Sequence, residues 1–78
     1  MTMKIRLIKE CDNHEPVFLG IVSPCNHLLS EPVVRKIIGE AWLEFQDTKP
    51  NCDFDFPAWL IENHSFVMVS NDEIDIML

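Results

Sequence analysis

The sequence predicts a small α+β domain: an antiparallel sheet with one long and one short helix packed on one face, in the chain order β-β-α-α-β-β. Three observations lead there. Apolar and charged residues alternate near both ends, at Met3-Lys4-Ile5-Arg6-Leu7 and again at Glu73-Ile74-Asp75-Ile76, which is the period of a half-buried strand. Between them Val33, Val34, Ile37, Ile38, Ala41, Trp42 and Phe45 recur at helical spacing. Turn chemistry separates these segments, at Cys11-Asp12-Asn13-His14-Glu15-Pro16, Thr48-Lys49-Pro50-Asn51 and Ser70-Asn71-Asp72.

The first strand covers roughly residues 3 to 9, and the apolar run from Val17 to Val22 forms the second, so that the two make a hairpin. Phe18 and Leu19 are adjacent and cannot both point inward; one of them must be covered by something else. Residues 23 to 29 have no clean period and form a loop. Ser30 is a helix N-cap, with Glu31 and Pro32 in the first turn, where the missing proline N–H costs nothing. The helix runs to about Phe45, its apolar stripe toward the core and Arg35, Lys36, Glu40, Glu44 and Asp47 opposite. Gly39 within it costs about 1 kcal/mol relative to alanine, which suggests a close approach of helix to sheet.

Asp55 has the position of a second N-cap, for a short helix from Phe56 to about Asn63. Phe54 before that cap and Trp59 in the first turn stand in the relation of a hydrophobic staple. Phe66-Val67-Met68-Val69 and Glu73 to Leu78 then complete the sheet as a second hairpin or one long bent strand. The 78 residues form one domain, 1–78, with no repeat, low-complexity stretch or dividing linker.

Charge is the strongest statement the chain makes about partners. Its six basic residues end at Lys49, while Asp53, Asp55, Glu62, Asp72, Glu73 and Asp75 follow, and the net charge is −7. Polyanions bind proteins through Lys and Arg, so direct nucleic-acid binding is disfavoured. No run approaches the ~20 apolar residues of a membrane span, and no uninterrupted apolar block follows the first residues, so the protein is expected in the cytoplasm. Three cysteines at irregular spacing fit thiols kept reduced. If the first and last strands are neighbours, Lys4 and Arg6 face Glu73 and Asp75 at roughly 0.2–1 kcal/mol per pair.

Chemical signatures are weak. Cys11, His14, Cys25 and His27 are good zinc ligands, but the strand between the pairs, at ~3.3 Å per residue, holds them over about 20 Å apart. Cys25 with His27 or His64 is a chance pairing without an oxyanion donor. Asp53 and Asp55 lack the further ligands of a calcium loop, and Gly20 and Gly39 alone make no phosphate loop. No enzyme activity, metal or cofactor is expected.

Glu40, Glu44 and Asp47 recur at four and three residues, a row of carboxylates with no base interposed. With Asp53 and Asp55, and with Asp72, Glu73 and Asp75, they make three acidic groups expected to converge. Such a display can imitate nucleic-acid phosphates and meet a basic protein or nucleoprotein complex. In size, acidity and want of a catalytic motif the chain resembles the small inhibitors that phages and other mobile elements make against host defence, anti-CRISPR proteins among them. That resemblance implies a non-enzymatic protein that blocks a nucleic-acid-binding target. The alternative is an assembly module, a homodimer or accessory subunit, acting through apolar surface at Phe18, Leu19, Leu28, Leu29, Met77 and Leu78.

Overall fold

Alternation in β1 (Ile5–Lys9) turns Ile5 and Leu7 inward, where both are fully buried, and they pair with Val22 and Gly20 of the antiparallel β2 (Val17–Pro24). The computed structural model describes residues 3–11 and 13–78, so that Asp12, in the first expected turn, lies outside the described residues. Between Leu7 and Ile8 the register slips by one, and Ile8 pairs with Phe18. Leu19 is the extra residue of this bulge. The slip resolves the conflict between Phe18 and Leu19: Leu19 joins the core at 8% exposure, and Phe18 faces outward at 52%.

Helix α1 (Glu31–Asp47) begins where expected and ends two residues later than Phe45. Ser30 occupies the cap position in extended conformation, and its carbonyl accepts the Val34 N–H at 3.0 Å, but its hydroxyl makes no cap bond. Val34, Ile38, Ala41 and Phe45 are buried, whereas Val33, at the rim of the stripe, is exposed. A 3-10 turn at Asp53–Asp55 leads into helix α2 (Phe56–His64). The staple does not form: Phe54 is 58% exposed, and Trp59 packs instead on Phe45 and Phe56.

Trp42, Phe45, Phe56 and Trp59 join the two helices in an aromatic cluster with ring centroids 5.0–6.1 Å apart. Each such pair contributes roughly 0.5–1.5 kcal/mol beyond the area it buries. The helices cover one face of the sheet, where Val34, Ile38, Phe45, Phe56 and Leu60 form a single core with Ile5, Leu7, Val22, Phe66 and Ile76. Gly39, however, is not a point of close approach. It is exposed, and a Cβ there would meet nothing within 4 Å.

β3 (Phe66–Met68) and β4 (Ile74–Met77) bear out the last two strands but not their pairing. The sheet order is β3-β2-β1-β4, so the two strands sit at opposite edges and neither a hairpin nor one bent strand exists. β3 is antiparallel to β2, while β4 runs parallel to β1. The α+β class therefore holds, with a mixed sheet in place of an antiparallel one. Residues 69–73 carry the chain across β2 and β1 from edge to edge, anchored where Val69 N–H donates to Ile21 O and Glu73 N–H to Lys4 O. Among the described residues no helix is long and apolar enough to cross a membrane.

Candidate functional site

Helical spacing places Glu40, Glu44 and Asp47 on the outer side of α1, all exposed, and a rise of 1.5 Å per residue spreads them over about 10 Å. Glu44 and Asp47 are electrostatically unfavourable where they stand. The C-terminal end of a helix carries partial negative charge, carboxylates in the last turn cost roughly 0.3–1 kcal/mol each, and the last turn of α1 contains no basic residue. Among the described residues Glu44 alone in the row has a partner, His64 Nε2 on α2 at 3.5 Å. The His64 ring also lies against Trp59, with centroids 5.3 Å apart.

The 3-10 turn brings the second acidic group to the end of this row. Gln46 of α1 donates to Asp53 Oδ1 at 3.2 Å, and Lys9 at the end of β1 pairs with Asp53 Oδ2. The Lys9 hydrogen bond, with help from Gln46, holds the Asp53 carboxyl below its ordinary range. Asp53 is thus a tie between β1, α1 and the turn. Asp55 is exposed and makes no side-chain cap bond.

The third group does not converge with the other two. Glu73 is bonded through its backbone to Lys4 at the start of β1, whereas Asp53 meets Lys9 at the end, and a five-residue strand separates them by about 16 Å. Arg6 and Asp75 are register partners and form a bidentate pair at 3.0 and 2.8 Å, with Asp72 4.0 Å from the same guanidinium. The Arg6 hydrogen bonds hold the Asp75 carboxyl low in turn. Neighbouring first and last strands thus cancel part of the charge, through Arg6; Lys4 contributes its backbone carbonyl.

Of the eight acidic residues singled out from the sequence, Asp53 and Asp75 are committed to the fold, and Asp72 and Glu44 have one neighbour each of opposite or titratable charge. Among the described residues Glu40, Asp47, Asp55 and Glu73 have no ion-pair partner. Arg6, Lys9 and Arg35 are used in internal pairs, Arg35 with Glu31 at 3.4 Å. The bases left over do not match the acids left over.

The other constellations fall apart in space or stay undeveloped. β2 runs between the pair Cys11, His14 and the pair Cys25, His27, and among the described residues no three His, Cys, Asp or Glu side chains are grouped to hold a metal ion. Cys25 N–H donates to Ser65 O at 2.9 Å, next in sequence to His64, yet the imidazole turns to Glu44 and Trp59 and makes no bond to the thiol. All three cysteines are free thiols.

Of the apolar candidates, Leu19 is buried, Leu29 and Leu78 pack against the core, and Leu28 is almost fully exposed. Phe18 and Met77 belong together: both are register partners of Ile8, so that Met77, Ile8 and Phe18 form a row across the face the helices leave open. Periodicity missed a groove between α1 and β4, lined in part by Gly39, Trp42, Leu43 and residues 75–78. The one sequence signal for it is Leu43, an apolar residue off the helical stripe. Compared with known families, curated proteins and solved structures, the chain matches none.

Proposed function

We propose that this chain is a non-enzymatic acidic binding protein that engages and blocks a basic, nucleic-acid-binding protein or complex, with carboxylates standing in for phosphates. It acts in the manner of the phage and mobile-element inhibitors of host defence, of the anti-CRISPR type, and in a reducing cytoplasm that suits its free thiols. One observation carries this: Glu40, Glu44 and Asp47 stand in an exposed row from the middle of α1 to its negative end, with no lysine or arginine among them or in the last turn, and Gln46 ties the 3-10 turn that holds Asp53 and Asp55 to that end. A purely solvated face gains nothing from that arrangement, whereas a groove lined with Lys and Arg would. Asp72, Glu73 and Asp75 lie apart and contribute long-range attraction more than contact.

The test is capture from lysate of the source cell at low salt, with release by a salt step, for the wild type and for the triple variant Glu40→Gln, Glu44→Gln, Asp47→Gln. A basic nucleic-acid-binding partner held by the wild type and lost by the variant is the expected result. Equal retention, or retention insensitive to salt, overturns the acidic face as the site.

The Met77, Ile8 and Phe18 row favours a second reading, assembly into a homodimer or onto a larger body through the open sheet face. Sedimentation at low and high salt separates the two. Apolar self-association persists in salt and is abolished by Phe18→Ser.

A further inference from the structure

β4 is an edge strand with a groove beside it. Ile74 and Leu78 donate their N–H groups to Lys4 and Ile8 of β1, so the residues in step with them face inward and the N–H and C=O groups of Asp75 and Met77 point away from the sheet. They open into a groove of about 630 Å³ whose far wall is α1, with Gly39, Trp42 and Leu43 flanked by the charged Arg35, Lys36 and Glu40. Leu43 is 66% exposed and Met77 46%. β4 itself carries no proline, lysine or bulge, the devices that commonly guard an edge. Gly39 adds room: it weakens the helix and packs against nothing, leaving bare backbone on the groove wall.

We propose that this edge takes an extended segment of a partner protein as a fifth strand, and that the segment alternates apolar with basic residues. The other side of β4 already holds such a segment. In β1, Ile5 and Leu7 stand beside Ile74 and Ile76 while Arg6 clamps Asp75. A strand on the free side meets the same side chains. Its apolar residues lie toward Ile76, Trp42 and Leu43, and its basic residues lie on the opposite face toward the exposed Glu73, which has no ion-pair partner among the described residues, while Asp75 stays with Arg6. A second copy of this chain is a poor occupant, because it sets Glu73 and Asp75 against their own kind on a molecule of net charge −7. Glu40 belongs both to the lining of this groove and to the α1 carboxylate row, whereas Glu44 and Asp47 lie outside the groove, and the edge does not depend on them.

The probe is a fluorophore-labelled, end-capped peptide with the sequence of Lys4–Lys9, titrated with the full chain and followed by anisotropy and by the combined fluorescence of Trp42 and Trp59. Saturable binding is expected, with affinity at least tenfold weaker for the same peptide carrying glutamate at its three basic positions. Met77→Pro removes an N–H for which the described residues show no acceptor, and Leu43→Lys puts a charge that repels the probe into the groove from an exposed helical position. Each should weaken binding tenfold or more with an unchanged far-UV spectrum, while the double variant Glu44→Gln, Asp47→Gln should bind as the wild type does. Should Met77→Pro unfold the chain, Leu43→Lys decides alone. No saturable binding, binding indifferent to Leu43→Lys, or a dimer that Leu43→Lys dissolves overturns the proposal.

Discussion

Gly20 of β2 lies directly under the ring of Pro57 on α2: a Cβ at position 20 would stand 3.0 Å from Pro57 Cγ and 3.3 Å from Pro57 Cβ. Both residues are buried, and they set how closely α2 approaches the sheet. Because Pro57 is rigid and stands in the first turn of its helix, a methyl group at position 20 can be accommodated only if helix and strand move apart. Gly20→Ala should destabilise the protein by about 1–3 kcal/mol. In a domain of this size that lowers the melting temperature by roughly 4–8 °C per kcal/mol, and a calorimetric scan reads it directly.

Gly39→Ala should do the opposite. A Cβ there meets nothing within 4 Å, the residue sits in the middle of α1, and its backbone has no positive φ. Only the helical cost of glycine remains, so alanine should add about 0.5–1 kcal/mol. Urea denaturation with an unchanged m-value measures it. Destabilisation would mean that α1 needs a glycine for a reason other than packing.

The two glycines illustrate what was legible in the sequence. Periodicity placed all four strands and both helices, because alternation at Ile5 and Leu7 and the stripe from Val34 to Phe45 are direct consequences of facing one core. It misassigned the glycines, since Gly39 sits in the long helix while the close contact falls at Gly20, and no pattern in the chain reveals which backbone a distant Pro57 will touch. The expected pairing of the last two strands, as a hairpin or one bent strand, failed for a similar reason. Sequential strands commonly pair, so Phe66–Met68 and Ile74–Met77 suggested a hairpin. The complementarity of Arg6 and Asp75 pointed to the neighbour that β4 takes but not to its direction. The acidic row on α1 was legible because helix geometry is local. That Asp53 serves as a tie to Lys9 was not, because the contact spans 44 residues.

The Asp53 and Asp75 pairs fix the shape of the pH profile. Both carboxyl groups have folded values below the ordinary 3.8, so each contributes stability that is fully present above that value and is lost as pH falls through the lower folded one. Lys9 and Arg6 are raised, so the same pairs persist until pH climbs through their folded values. Stability should therefore decline on acidification below about pH 4, and Asp53→Asn should flatten that acid limb. Thermal melts between pH 2 and 7 test this, and an acid limb of equal slope in the variant would rule out Asp53 as a contributor.

Ser23 offers a gain in stability with no loss of shape. It is fully buried on β2 opposite Val67, and its hydroxyl has no hydrogen-bond partner among the described residues. A buried hydroxyl left unpaired forfeits roughly 1–3 kcal/mol of hydration, and nothing here returns it. Alanine removes the oxygen and keeps the Cβ, leaving a void smaller than a methyl group. The two terms have opposite sign, and the desolvation term is the larger. Ser23→Ala should raise stability by about 1 kcal/mol in urea denaturation. A lower midpoint would show that the hydroxyl is hydrogen-bonded in solution, with β2 and β3 moved enough to supply the partner.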